Sequence, residues 1–353
     1  MSHGRFFGPE RTAAVVIVDD SPYFRYQLGT RLRQQGLTVA ASLTSGEEAV
    51  QQVAAINPDL VLMDIVMPGM SGLDAVKEIR TRWFGPIVMM SAATPRTIQE
   101  TWHALEAGAN DFIAKPDVDH PIDTMIAAIL DRLGAIAVAR REDPQVEAAR
   151  PASFQDVRSE GFRVLVMGAS TGGPRALGRL FESLGRAPAI PILVVQHMPS
   201  GFTRSFADRL AAILGSPVVE APPDGTALSL RGSPIVVAAG GLHLRVGQNS
   251  CWAEPGDRRH GVIPSVDITL LDAARVYGRD AAAVILTGMG EDGAQGARDV
   301  RERGGVVVVE SRESALVWGM PGAVVAHAGA DAVWPLPDIA EWIDKVVSFP
   351  HAL

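Results

Sequence analysis

Leu60-Val61-Leu62-Met63-Asp64-Ile65-Val66-Met67-Pro68 opens with four apolar residues in a row and then reaches a carboxylate. A half-exposed strand or an amphipathic helix would interleave polar residues. An unbroken apolar run of this length fits a strand covered on both faces. Short runs at 15–18, 87–90 and 112–114 have the same character. Between them, 24–35, 47–56, 73–82 and 97–107 carry helical spacing, and a last such segment spans 121–138. Buried strands alternating with helices predict a doubly wound α/β domain with a parallel sheet, over 13–138. In such a domain the site lies beyond the carboxyl ends of the strands.

Chemistry-bearing residues stand at those ends. Asp19 and Asp20 follow the first run, Asp64 ends the 60–63 run, Ser91 ends 87–90, and Lys115 follows 112–114. Three carboxylates converging on one edge repel one another unless a hard cation binds, and Mg²⁺ with its octahedral oxygen shell fits. Asp64 is the natural phosphoryl acceptor. Lys115 can pair with the phosphoryl oxygens and Ser91 can donate to one of them. The metal would be held by Asp20, Asp64 and the Val66 carbonyl, with Asp19 acting through water. Asp19-Asp20-Ser21, Met63 to Pro68, Ser91-Ala92 and Lys115-Pro116 together resemble the signature of two-component receiver domains. The resemblance implies a flavodoxin-like fold, Mg²⁺-dependent phosphorylation of Asp64 by a histidine kinase, and a switch pair made of Ser91 and Phe112.

Residues 139–160 are charged, contain Pro144 and Pro151, and lack apolar periodicity, as a linker would. Strand-helix alternation then resumes over 161–350. Strands are expected at 163–167, 190–195, 234–238, 281–286 and 306–309, and helices at 175–184, 203–214, 266–276, 294–303 and 339–347. The less regular 217–264 is expected to hold antiparallel strands.

The first strand of this second domain runs into Gly168-Ala169-Ser170-Thr171-Gly172-Gly173-Pro174. A serine on a tight glycine-flanked turn between strand and helix has an exposed hydroxyl near helix-start N–H groups. A phosphate-cradling loop is the rival, but neither G-x-G-x-x-G nor G-x-x-x-x-G-K-[ST] is present. The next strand ends in Gln196-His197, which puts a base at the same edge; His243 and His260 are weaker alternatives. An orienting carboxylate is available where 281–286 leads into Thr287-Gly288-Met289-Gly290-Glu291-Asp292-Gly293. Asp292 is preferred over Glu291, although an aspartate there could serve only as a helix cap.

The order Ser, His, Asp departs from the Ser, Asp/Glu, His order of α/β-hydrolases. It resembles instead the catalytic domain of the chemotaxis protein-glutamate methylesterases (CheB). The matching stretches are Gly168 to Gly173, Gln196 to Pro199, Gly201-Phe202-Thr203, Pro264 to Asp267, Leu286 to Gly290 with Asp292-Gly293, and Gly319-Met320-Pro321. The resemblance implies hydrolysis of glutamate methyl esters on chemoreceptor cytoplasmic domains, deamidation of receptor glutamines, and the Met289 N–H as oxyanion donor. It implies a cytoplasmic enzyme phosphorylated by the chemotaxis kinase, with no metal needed for the ester chemistry. Two departures stand out. No arginine directly precedes Pro264, and Ala239-Gly240-Gly241 replaces a more usual Pro-Gly pair. The rival from another class is a non-catalytic response regulator whose second domain binds a partner.

Composition sets the outer limits. At roughly 150 residues per domain, 353 residues make about two. A net charge of -8 with no basic stripe argues against nucleic-acid binding. No stretch reaches the ~18 uninterrupted apolar residues of a membrane span, and the first twelve residues have no signal-peptide core. The single cysteine, Cys251, excludes an internal disulfide; pairing it with His260 as a nucleophile lacks any supporting signature.

Overall fold

The computed structural model describes residues 12–92, 94–116, 121–141, 156–185, 187–232 and 234–348. They form two compact units divided after Asp143. The strands of the first unit are β1 (Ala14–Val18), β2 (Thr38–Leu43), β3 (Leu60–Asp64), β4 (Ile87–Ser91) and β5 (Asp111–Ala114). Its helices are α1 (Pro22–Gln34), α2 (Gly46–Ile56), α3 (Gly72–Ile79), α4 (Pro95–Glu106) and α5 (Ile122–Arg141). The sheet is parallel throughout, in the order β2-β1-β3-β4-β5. From β1 the chain steps out to β2 and then crosses back to β3. The order therefore reverses between β1 and β3, and a crevice opens at their carboxyl ends.

β3 and β4 are buried along their whole length, and β1 from its second residue onward. Their apolar side chains meet Leu28 and Leu32 of α1 and Ile126, Ile129 and Leu133 of α5 on one face. Sequence reading passed over β2. Its Thr38-Val39-Ala40-Ala41-Ser42-Leu43 alternates exposed and half-buried positions at the sheet edge, so no apolar run marks it.

α3 starts hard against the end of β3. The Gly72 N–H donates to the Ile65 carbonyl at 3.0 Å, and a Cβ at position 72 would collide with the Asp64 carbonyl. Gly72→Ala is therefore expected to cost about 1–3 kcal/mol of receiver stability and to slow phosphorylation of the displaced Asp64. Calorimetric unfolding checks this; an unchanged Tm would show that the helix start relaxes freely.

α5 runs to Arg141, so Arg140 and Arg141 are helical rather than part of the linker expected from residue 139. The expected linker over 142–155 lies outside the described residues. Its far end, 156–160, packs as part of the second unit. Val157 is buried, the Trp342 indole donates to the Arg158 carbonyl at 3.1 Å, and the Arg158 guanidinium lies 4.3 Å from the Phe162 ring centroid.

The second unit holds a seven-stranded parallel sheet of β6 (Val164–Ala169), β7 (Ile192–Gln196), β8 (Val218–Glu220), β10 (Ile235–Val237), β13 (Ala281–Ile285), β14 (Val306–Glu310) and β15 (Ala332–Trp334). Its order is β15-β14-β13-β6-β7-β10-β8. The helices are α6 (Gly173–Leu184), α7 (Phe202–Leu214), α8 (Val266–Tyr277), α9 (Ala294–Glu302), α10 (Gly319–His327) and α11 (Leu336–Ser348). The chain builds outward from β6 through β7, then returns to lay β13 on the other side of β6. The carboxyl end of β6 is thus the point where the winding reverses. The expected antiparallel portion is a three-stranded sheet, β11 (His243–Gly247), β12 (Ser250–Glu254) and β9 (Leu228–Ser229). α10, β8 and β15 were not foreseen. α10 opens with Gly319-Met320-Pro321-Gly322, a composition that reads as a loop, and β8 and β15 are three residues each.

Candidate active site and acidic pocket

In the first unit the reversal between β1 and β3 brings Asp19, Asp20 and Asp64 together, with one carboxylate oxygen from each within 4.8 Å of the others. The Lys115 Nζ lies 2.8 Å from Asp19 Oδ2 and 2.7 Å from Asp64 Oδ2. Asp19 and Asp64 are buried and Asp20 is exposed, so the pocket is open on one side. Burial pushes the Asp64 carboxyl up to about 6, against the opposing pull of the Lys115 ammonium. Clustered hard oxygen donors with an open side fit Mg²⁺. Ser91, at the end of β4, is engaged with α4: its hydroxyl accepts from Thr101 Oγ1 at 3.0 Å and donates to the Ala92 carbonyl at 3.1 Å. Phe112 is buried edge-on against Trp102, with centroids 5.7 Å apart. Val66, whose carbonyl was expected to face the metal, is 46% exposed on the loop after β3.

In the second unit the ends of β6, β7 and β13 carry Ser170, His197 and Asp292. Ala169 and Gln196 are register partners, so Ser170 and His197 each stand one residue past a paired position on adjacent strands. Strand spacing of about 4.8 Å keeps such positions close. The Ser170 N–H donates to the Thr287 carbonyl at 3.0 Å, which ties the serine turn to the loop after β13.

His197 Nε2 lies 2.7 Å from Asp292 Oδ2. That contact selects the tautomer with hydrogen on Nε2 and leaves the lone pair on Nδ1. Nδ1 is buried and has no protein partner among the described residues. Asp292 is held by more than the histidine. Its Oδ1 accepts from Ser265 Oγ at 2.7 Å and from the Asp267 N–H at 3.0 Å, and its Oδ2 accepts from the Val266 N–H at 2.7 Å. These are the first N–H groups of α8, where the helix dipole favours an anion. Burial would push the Asp292 carboxyl up, but the His197 contact and these hydrogen bonds outweigh it and hold it below the usual carboxylate range.

The favour is returned. Asp267, in the first turn of α8, accepts the Gly293 and Gly296 N–H groups at 3.0 and 2.7 Å, which caps α9. His260 approaches the same cluster, with Nε2 3.0 Å from Asp267 Oδ2 and Nδ1 3.1 Å from Glu291. His260, Asp267 and Asp292 lie close enough to suggest a cation site, yet the aspartate oxygens are already occupied by donors. Thr171 follows Ser170 in the turn, and the loop that carries Met289 is tied to the Ser170 N–H through the Thr287 carbonyl. Cys251 is buried in β12 and burial pushes its thiol up to about 12. No thiolate is available there, which removes the Cys251–His260 pairing.

Known proteins resemble the chain in both units. The CheB methylesterase family model matches residues 165–343, and the response regulator receiver domain model matches 15–127. Proteins named protein-glutamate methylesterase/protein-glutamine glutaminase are similar over nearly the full length. The one from Pyrococcus horikoshii is 36% identical over 96% of this chain and 94% of its own. That from Geobacillus kaustophilus is 35% identical over 96% and 99%.

The chain belongs to the CheB methylesterase family.

It is an α/β hydrolytic enzyme whose sequence follows that of a receiver domain. The catalytic domain of Thermotoga maritima CheB methylesterase shares 39% identity over 53% of this chain and 100% of its own, with a TM-score of 0.48. Within this CheB methylesterase, sequence reading missed Ser265 and Asp267 as supports of Asp292, and Glu310 as a support of the Met289 loop. Ser265-Val266-Asp267 is a serine followed by an early carboxylate at a helix start, a capping signal that does not disclose its distant partner. Glu310 ends the apolar run of β14 as Asp64 ends that of β3, and its Oε2 accepts the Thr287 N–H at 2.7 Å.

Proposed function

We propose that this CheB methylesterase hydrolyses glutamate methyl esters on the cytoplasmic helices of chemoreceptors and deamidates glutamines there, under control of phosphorylation at Asp64. The observation that carries the reading is the buried Nδ1 of His197, unpartnered among the described residues, oriented by Asp292 and level with Ser170 at the end of the adjacent strand. In this mechanism Nδ1 removes the Ser170 proton as Oγ attacks the ester carbonyl. The Met289 N–H, with that of Thr171, stabilises the oxyanion. Asp292 stabilises the imidazolium, which returns the proton to the departing methanol, and water then releases the acyl group by the same steps.

In the receiver, over 13–138, Asp20, Asp64 and the Val66 carbonyl would hold Mg²⁺, with Asp19 acting through water. The cation would offset charge on the phosphoryl group supplied by the chemotaxis histidine kinase. Phosphorylation adds roughly one to two negative charges at the strand edge. Ser91 would release the Ala92 carbonyl to donate to the phosphoryl oxygen, and Phe112 would turn from Trp102 into the vacated space. The enzyme would act in the cytoplasm; no helix among the described residues is long and apolar enough to cross a membrane.

Methanol release from methylated receptor membranes, with and without acetyl phosphate, tests the proposal. Absence of methanol under both conditions rejects it. The lowered Asp292 carboxyl also sets the form of the acid limb. A depressed carboxyl contributes its stabilisation above the ordinary range and loses it only as pH falls through the lower folded value. Asp292 should therefore stay ionised as activity declines, and kcat/KM should fall no more steeply than tenfold per pH unit. A hundredfold slope would mean that Asp292 takes up a proton as well.

A further inference from the structure

We infer that Gln196 is a positioning residue for ester hydrolysis, its amide nitrogen fastening the serine turn to the histidine. Gln196 is the last residue of β7 and is 2% exposed. Its Nε2 donates to the Ser170 carbonyl at 2.9 Å and to the His197 carbonyl at 3.1 Å. An amide nitrogen carries two hydrogens, so both bonds form together. Two facing acceptors also settle which atom is nitrogen, because an oxygen there would oppose both carbonyls.

The last backbone bond between the two strands here is His197 N–H to the Ala169 carbonyl at 3.0 Å. Beyond it the chain passes into different loops, and among the described residues Gln196 ties the Ser170 carbonyl to that of His197. Gln196 Oε1, by contrast, is buried with no partner among the described residues, beside Gly173, where a Cβ would collide with it. A position needing only bulk would favour leucine or methionine, which leave no orphan oxygen. The amide is explained by its nitrogen, and Gly173 by the room that the amide takes.

This inference rests on Ser170 as nucleophile and His197 as base. Its test uses the full-length protein, methylated receptor membranes as substrate and diisopropyl fluorophosphate as the label. Gln196→Met removes both donors at similar volume. It should lower kcat on the order of 10–100-fold, as for misplacement by about an ångström, while KM stays within about twofold. The labelling rate of Ser170 should fall in proportion. Rates are expressed per labelled site, so loss of folded protein does not imitate the effect.

Gln196→Glu covers the case in which the methionine variant does not fold. Its carboxyl matches the amide in shape but opposes both carbonyls once ionised. Its pH profile should turn downward on the alkaline side, where the wild type stays level. Wild-type labelling rates in the folded Met variant, or a Glu profile parallel to wild type, would overturn the role of Gln196 and leave the hydrolase reading intact. Failure of the wild type itself to label at Ser170 would overturn both.

Discussion

Ser170→Ala is expected to reduce methanol release on the order of 10⁴–10⁶-fold, and His197→Ala by a similar factor. The double variant should fall scarcely further. Nδ1 of His197 has no protein partner among the described residues, so in this reading its base has one task, the Ser170 proton. Removing either partner ends that task, and removing the second finds nothing left to lose. Multiplicative losses in the double variant, measured per folded protein, would separate the two residues and refute a common mechanism. Circular dichroism should show both variants folded, since the backbone bonds of Ser170 and His197 remain and Asp292, without His197, keeps its donors from Ser265, Val266 and Asp267.

Asp64→Asn should abolish labelling by acetyl phosphate, while Ser170→Ala leaves that labelling unchanged. In the wild type a phosphodonor should raise the esterase rate about 5–150-fold, the range of a coupling free energy of 1–3 kcal/mol. Asp64→Asn should show no rise. Lys115 keeps its 2.8 Å contact with Asp19 in that variant, so the pocket retains an ion pair and the fold should persist. Labelling of the asparagine variant at the wild-type rate would place the phosphoryl group elsewhere. A wild-type esterase indifferent to phosphodonor would leave the receiver without control over the reaction.

The elements that sequence reading located are those where one physical signal dominates. β3 and β4 are buried on both faces, so their apolar runs are unbroken. Asp64, Ser91, Ser170, His197 and Asp292 were legible because each interrupts or follows such a run at a carboxyl end. β2 stayed hidden because an edge strand is only partly buried, and α10 because its glycines and proline imitate a loop. The supports of Asp292 were illegible for a different reason. Ser265 and Asp267 reach it across 27 and 25 positions of sequence, and only the placement of α8 beside the loop after β13 joins them. Gln196 stood in a matching stretch, Gln196 to Pro199, but its role was hidden, since a polar residue before a strand-end histidine looks like the start of any loop.

The crossed capping of α8 and α9 sets how this family member would decay if its chemistry ceased to matter. Asp292 carries the start of one helix and Asp267 the start of the other, each cap being worth about 0.5–2 kcal/mol. Loss of either would lower the amount of folded protein as well as its activity. Ser170 and His197 carry no such double duty. In a duplicated copy kept only for its receiver or its binding surface, selection for folding would still hold the two aspartates, while the serine and histidine drifted. An inactive descendant should therefore be recognised by a missing nucleophile and base beside an intact aspartate pair, and Asp292 by itself is a poor marker of a working esterase.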